Sequence, residues 1–155
     1  MIQISHNLLS DFPKSLLDKS KILNLKKGEY LFRCGDQIRY IYYVLEGEIR
    51  GLRNQVNGST AIMIRTCSGQ FFAPVSLIME IFPCSGFAAI RSKVVQFPVD
   101  AFKKSMKDFP DFSYYFSVSL STSLKKQCAL AERFRLKSAR DRILHYLACE
   151  TPSGN

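Results

Sequence analysis

The pattern that most restricts the fold is a series of short apolar or alternating runs from about Ile22 to Pro98, separated by turn residues. Runs spaced at about 8 to 12 residues are typical of an all-β sandwich or barrel. They are rich in Ile, Val, Tyr and Phe, as half-buried strands require. The predicted strands are Ile22–Leu25, Tyr30–Phe32, Tyr40–Leu45, Glu48–Arg53, Ala61–Arg65, Gln70–Phe72, Ala88–Ile90 and Val94–Phe97.

The breaks between these runs contain glycine. Asn57-Gly58 is a specific hairpin signal, because a type I′ turn needs positive φ at both central residues. Gly35 and Gly47 are expected to close tight corners where a Cβ would be penalised.

After Pro98 the apolar period changes to three and four residues. The segment Asp100–Lys107 predicts a short helix that Pro110 closes. Asp111 is then the expected N-cap of a longer helix that runs to about Lys137. A last helix is predicted over residues 138–149.

The long helix carries a single apolar stripe. About 26 residues at about 1.5 Å each span roughly 40 Å, which is longer than a small domain. Packing of the stripe onto the β-domain alone is one interpretation, and partial packing against a second copy is the one we favour. A symmetric homodimer is therefore predicted. Its expected interface residues are Phe116, Leu120, Leu124, Cys128 and Ala131.

Composition limits the class of protein. The 155 residues, 46% of them apolar, suffice for one sizeable core. No run approaches the roughly eighteen apolar residues of a membrane helix, and the N-terminus lacks the layout of a signal peptide, so a soluble, cytoplasmic protein is predicted. The net charge of +9 is spread along the chain, which leaves a nucleic-acid partner and a solvated surface both open.

Three stretches together resemble the cyclic-nucleotide-binding superfamily in its bacterial Crp/Fnr form. In Leu25–Arg53 the matching positions are Gly28, Phe32, Gly35, Asp36, Tyr42, Val44, Gly47 and Ile49. Ser68–Phe102 is similar to the phosphate-binding cassette and the two strands after it. Arg133–Ala148 resembles the end of the dimerisation helix, the hinge and the first helix leading into a winged helix-turn-helix.

The resemblance implies a mainly β fold with helices, a double-stranded β-helix or jelly roll like that of cyclic-nucleotide-binding domains, followed by a long C-terminal dimerisation helix. It divides the chain into a β-roll sensor domain (1–110), the dimerisation helix (111–137), and a hinge with the start of a DNA-binding domain that is otherwise missing (138–155).

The sequence departs from the family where the ligand chemistry lies. Cyclic-nucleotide binders carry a Gly-Glu pair at the cassette start and an Arg-Ser or Arg-Ala pair later. Ala73-Pro74 and Gly86-Phe87 stand at those positions. A phosphate brought into a partly buried pocket without a cation pays a large desolvation cost, so a response to cyclic AMP is not expected.

The pocket position is predicted to be apolar and aromatic. Either its rings simply fill the β-roll, or it accepts a small uncharged effector of unknown identity. The candidate pocket residues are Phe72, Ala73, Pro74, Cys84, Gly86 and Phe87. Further rings expected to line or adjoin it belong to Phe71, Phe82 and Tyr43, together with the side chain of Ile90.

Other chemistry is weakly supported. Five scattered cysteines without a CxxC pair indicate neither a disulfide framework nor a zinc site, and most are expected to be buried. Cys34 lies beside Arg33, which leaves a redox role as the alternative to an inert thiol. His6 and His145 are the only histidines. Neither lies on a predicted strand, so no metal, no cofactor and no enzymatic activity are predicted.

The sequence therefore predicts the sensor and dimerisation module of a Crp/Fnr-type DNA-binding transcription regulator, which contacts DNA through a C-terminal domain missing here. The alternative is a stand-alone cyclic-nucleotide-binding-like domain that regulates or binds another protein. The gene sequence beyond residue 155 would distinguish them.

Overall fold

A computed structural model of the chain describes residues 9–54 and 58–150. Within them eight strands form two four-stranded antiparallel sheets, with the orders β1-β8-β3-β6 and β2-β7-β4-β5. The strands are β1 (Lys21–Leu25), β2 (Tyr30–Phe32), β3 (Tyr40–Glu46), β4 (Glu48–Asn54), β5 (Thr60–Cys67), β6 (Gln70–Phe72), β7 (Ser85–Ala88) and β8 (Ser92–Pro98). The predicted jelly-roll fold class with a long helix after the β core is confirmed.

Seven of the eight predicted strands overlap a strand of the structure over most of their length. The seventh is wrong in position: β7 is Ser85–Ala88, whereas the prediction was Ala88–Ile90. Gly86 pairs with Gly51 in the centre of the sheet, and a glycine is a weak strand former, so the sequence pattern did not mark this strand. Ile90 lies beyond it and is 51% exposed.

The sheet that contains β3 is buried on both faces. Five consecutive residues of β3, from Ile41 to Leu45, are buried. In a sheet with one solvent-exposed face, buried and exposed side chains would alternate along the strand. One face meets the other sheet. The opposite face carries an aromatic cluster of Phe12, Tyr43, Phe71, Phe97, Phe102, Phe112 and Tyr115.

Phe12 lies at the centre of the aromatic cluster, with ring-centroid distances of 4.9 to 5.8 Å to five other rings. The hydroxyls of Tyr43 and Tyr115 are hydrogen bonded at 3.0 Å. Burial and this hydrogen bond raise the pKa of Tyr43. The cluster therefore fixes the second face of the sheet with neutral side chains.

The corner between β3 and β4 requires glycine. Gly47 has a φ of +89°, and a Cβ there would lie 2.6 Å from the carbonyl oxygen of Arg91. Gly35 also has positive φ, as predicted for a tight corner. Of the predicted Asn57-Gly58 turn, Gly58 has a φ of +80° and Asn57 lies outside the described residues.

The helices are α1 (Lys14–Leu17), α2 (Val99–Asp108), α3 (Pro110–Arg135) and α4 (Ala139–Glu150), and a 3-10 helix spans Pro74–Leu77. Pro110 begins α3, whereas the prediction used it to close the preceding helix. Proline suits the first helical position because its missing N–H has no helical partner there. Ser138 caps α4, since its Oγ accepts a hydrogen bond from the backbone N–H of Asp141 at 3.0 Å.

The chain divides into two compact units, and the boundary falls within α3 between Tyr115 and Phe116. In the second unit α3 and α4 contact each other: Nε2 of His145 lies 3.2 Å from a carboxylate oxygen of Glu132, and the Arg133 guanidinium lies 4.6 Å from the ring centre of Tyr146. None of the described helices is long and apolar enough to cross a membrane.

Candidate effector site

The interior between the two sheets is lined by nonionised side chains. The interior cluster consists of Phe32, Tyr42, Val44, Ile49, Phe72, Ala73, Phe82, Ala88 and Val94, contributed by both sheets and the loops beside them. Burial raises the pKa of Tyr42 to about 12, and the neighbouring Tyr40 and Asp36 act in the same direction. Its phenol is therefore neutral at physiological pH, and no member of the cluster offers a charge to a ligand.

Aromatic rings occupy the centre of this interior. The rings of Phe32 and Phe82 are stacked, with centroids 3.5 Å apart and planes inclined by 8°. Phe72 and Tyr42 lie on other sides of Phe32, at centroid distances of 5.7 and 5.8 Å. Aromatic rings are therefore packed against one another at the predicted pocket position.

Gly86 lies against the same rings. A Cβ at Gly86 would come within 2.7 Å of the ring carbons of Phe32 and Phe72, closer than real Cβ contacts allow. The family resemblance predicts that Gly86 occupies the position of the phosphate-binding arginine of the nucleotide binders. Because even a methyl group does not fit, a long cationic side chain could not enter the interior here without displacing the rings.

The start of the cassette is strained. Ala73 has a φ of +60° and ψ of +47°, the one left-handed non-glycine residue among those described. This conformation costs about 1–2 kcal/mol for a residue with a Cβ, which explains why a glycine suits the position in the nucleotide binders. Pro74 follows and begins the 3-10 helix, so it offers no backbone N–H to a phosphate.

The six predicted pocket residues occupy three environments. Phe72, Ala73 and Gly86 border the interior, and the half-buried Pro74 directly follows Ala73 in the chain. Phe87 lies beside Tyr30 at a ring distance of 5.9 Å, on the opposite face of β7 from Gly86. Cys84 is half-buried, and its Sγ lies 3.6 Å from the position of a Cβ built on Gly51.

The other residues that the sequence placed near the pocket divide in the same way. Phe82 belongs to the interior cluster. Phe71 and Tyr43 belong to the aromatic cluster on the opposite face of the sheet, and Ile90 is exposed. Sequence reasoning did not assign Phe32 and Tyr42 to the pocket. The alternation of Tyr42 with Tyr43 along β3 is a signal that could have found Tyr42. For Phe32 the register shift between Tyr30 and Phe32 removes this signal.

A polar groove adjoins the 3-10 helix, outside the interior cluster. Its lining includes Arg39, Glu80 and Lys103, together with Ser76. Ser76 is 1% exposed, and its Oγ has no hydrogen-bond partner among the described residues. The sequence gave no indication of this groove.

The cysteines differ from the prediction that most are buried. Cys34, Cys67, Cys128 and Cys149 are exposed, because they lie in turns, at a strand end or on the helices of the second unit. His145 is half-buried beside Glu132, and His6 lies outside the described residues. Within the described part of the chain, no group of three or more His, Cys, Asp or Glu side chains could hold a metal ion.

Two antiparallel sheets around an apolar interior, followed by a long helix, define a jelly-roll domain of the regulatory type. A model of the cyclic nucleotide-binding domain matches residues 22–109. The chain belongs to the cyclic nucleotide-binding domain family.

Solved structures of transcription regulators share this fold. DNR from Pseudomonas aeruginosa is 26% identical, with a TM-score of 0.64 over 97% of this chain and 70% of that one. The c-di-GMP responsive global regulator CLP from Xanthomonas campestris has a TM-score of 0.72 at 19% identity, over 91% of this chain and 72% of that one.

A match among curated proteins is to a much larger enzyme. Lysophospholipase nte1 from Neurospora crassa is 24% identical over 129 residues, which are 81% of this chain but only 8% of that protein. The solved structures show that the fold resembles regulatory domains of transcription factors. The matched segment is only a small part of the lysophospholipase.

Proposed function

We propose that the chain is the sensor and dimerisation module of a Crp/Fnr-type DNA-binding transcription regulator that does not respond to cyclic AMP. The observation that carries this proposal is α3, a 26-residue helix that follows the β-roll and exposes apolar side chains along its second half. In this proposal residues 1–110 sense an effector, residues 111–137 dimerise, and residues 138–155 lead towards a DNA-binding domain.

The exposed apolar residues of α3 support a homodimer. Leu120 is 36% exposed and Leu124 64% exposed, while Cys128 and Ala131 lie on the same side and are also exposed. Phe116 is buried at 1%, so the seam would rest mainly on the other four. A two-fold arrangement would cover this stripe with an identical one.

Cyclic AMP and cyclic GMP are expected to give no saturable calorimetric signal and no thermal stabilisation at millimolar concentration. The Phe32 and Phe82 rings are stacked in the interior, and Gly86 and Phe87 supply no cation for the phosphate. A ligand at a hundred times its Kd would add roughly 2.7 kcal/mol of stability. AMP is the control, because non-specific attraction to a protein of net charge +9 would act on it as well. A micromolar isotherm with either cyclic nucleotide would contradict the proposal.

The chain alone is expected to bind DNA weakly and without sequence preference. Basic side chains near the end of α3 and in α4 can contact phosphates, which position a protein but do not specify sequence. They are Arg133, Arg135, Lys137, Arg140 and Arg142. With two to four such contacts, affinity falls about ten- to a hundredfold between about 50 and 200 mM salt. Gel shifts with two unrelated duplexes test this, and discrimination between them at physiological salt would refute it.

Reading the gene beyond residue 155 tests the proposal as a whole. A coding region for a helix-turn-helix supports the regulator. A stop codon favours the second candidate, a stand-alone regulatory or protein-interaction domain. The observation behind this candidate is that a similar domain forms a small part of a large enzyme, so the fold also occurs outside transcription regulators.

A further inference from the structure

Two cysteines lie in facing segments just beyond the end of the β2–β7 ladder. Phe32 pairs with Gly86 and Gln37 with Ile81, and the segments of Cys34 and Cys84 lie between these two pairs. Cys34 lies in a turn closed by a hydrogen bond from the N–H of Asp36 to the carbonyl oxygen of Arg33 at 3.1 Å, and Cys84 lies in a bend. The backbone N–H of Cys34 donates to Oγ of Ser85 at 2.9 Å, and that of Gly35 donates to the carbonyl oxygen of Phe82 at 2.9 Å.

The two cysteines are neighbours in space. The hydrogen bond from the backbone N–H of Cys34 ends on Ser85, the residue that follows Cys84. A disulfide needs a Cα separation of about 4.4–6.8 Å. A turn that faces a bend can reach this separation without displacing a strand.

We propose that Cys34 and Cys84 are a redox-sensitive pair that closes to a disulfide when a hydroperoxide oxidises the protein. The hydrogen bond that holds Cys34 beside the segment of Cys84 carries the inference. It does not depend on dimerisation, on DNA binding or on the identity of an effector.

The surroundings of the two thiols assign different roles to them. Cys34 is exposed and Cys84 is half-buried. Burial raises the pKa of Cys84, the proximity of Cys34 raises it further, and Arg53 opposes both effects. Cys34 is therefore the thiol that an oxidant reaches first, and Cys84 is the thiol that attacks the oxidised Cys34 afterwards.

The chemistry balances in two steps. The Cys34 sulfur attacks a peroxide oxygen, an S–O bond forms, the O–O bond breaks, and the product is a sulfenic acid with one water or alcohol. The Cys84 sulfur then attacks the Cys34 sulfur. The S–S bond forms, the S–O bond breaks, and hydroxide leaves with the Cys84 proton as water. Two thiols have lost two electrons to the peroxide.

The bond would join two segments that border the ring stack. Cys34 is two residues from Phe32, and Cys84 is two residues from Phe82, the two stacked rings at the centre of the interior. Oxidation would tie the end of β2 to the start of β7 and so hold both rings in place.

The test oxidises the full chain with one equivalent of hydrogen peroxide, then counts thiols under denaturing conditions and maps disulfide peptides by mass spectrometry. We expect two of the five thiols to disappear, a linked Cys34–Cys84 peptide to form, and dithiothreitol to restore both thiols. A chain that keeps all five thiols, or links other cysteines instead, overturns the proposal.

A variant with Cys67→Ser, Cys128→Ser and Cys149→Ser removes the other thiols, all of them exposed. It should lose both remaining thiols and stay a single chain on a non-reducing gel. Adding Cys84→Ser to this variant is the matched control. Oxidised Cys34 should then remain a sulfenic acid, which dimedone traps. Equal dimedone labelling with and without Cys84 would show that Cys84 does not attack the sulfenic acid of Cys34, and would overturn the pairing.

Discussion

Leu124→Asp is expected to convert the protein from a dimer into a monomer at tens of micromolar concentration. Leu124 lies on α3 and is 64% exposed in the single chain. In a parallel two-fold seam it would meet its own copy, so the substitution would bury an unpaired carboxylate twice per dimer, at several kcal/mol each. Because about 1.4 kcal/mol is tenfold in affinity, the dissociation constant should rise at least about a hundredfold.

Neighbouring residues on α3 favour a close seam. The small side chains of Ser121, Ser123 and Ala131 permit close approach of two helices, while Lys125 and Lys126 are exposed and can remain solvated at its margins. Thr122→Asp is the matched control. It adds the same charge two residues away, about 200° around the helix at about 3.6 residues per turn, and Thr122 is also exposed.

Sedimentation velocity separates the outcomes. We expect a dimer for the wild type and for Thr122→Asp, and a monomer for Leu124→Asp with unchanged circular dichroism. A monomeric wild type, or a Leu124→Asp protein that remains a dimer, would show that the stripe serves only its own chain.

Phe102→Ala is expected to lower the free energy of unfolding by about 3–5 kcal/mol, the usual loss for a buried phenylalanine that leaves a cavity. Phe102 is fully buried in the aromatic cluster. Its ring lies 5.1 Å from that of Phe112 and 5.7 Å from that of Phe71, so it connects α2, α3 and β6.

Phe109→Ala is the control for this substitution. Phe109 directly follows α2 and is 41% exposed, so its replacement should cost about 1 kcal/mol or less. Urea unfolding followed by circular dichroism measures both variants. Equal losses would mean that the aromatic cluster does not hold the helices on the sheet.

Much of the fold could be read from periodicity. The strands Tyr30–Phe32 and Gln70–Phe72 were predicted with the bounds that the structure has, because turn residues on both sides limit these short, aromatic-rich runs. β7 was misplaced because its central pairing uses Gly86, which contributes backbone hydrogen bonds but no side chain. The break at Pro110 was misread because proline both ends and begins helices, and the sequence does not say which.

The candidate site was predicted less completely. The pairs Ala73-Pro74 and Gly86-Phe87 marked the missing nucleotide chemistry from sequence alone. The residues around them could not be assigned to a pocket, because both faces of the β3 sheet are apolar. Tyr42 and Tyr43 are adjacent residues of the same type, yet Tyr42 lies in the interior cluster and Tyr43 in the aromatic cluster.

By itself the sequence determined the jelly-roll class and the long helix with its apolar stripe, since periodicity and residue chemistry are local properties. Only the tertiary structure decided that Phe32 and Phe82 stack in the interior, that Gly86 has no room for a Cβ, and that Cys34 lies beside Ser85. These facts depend on strand register between segments about fifty residues apart, and register follows from packing of the whole sandwich.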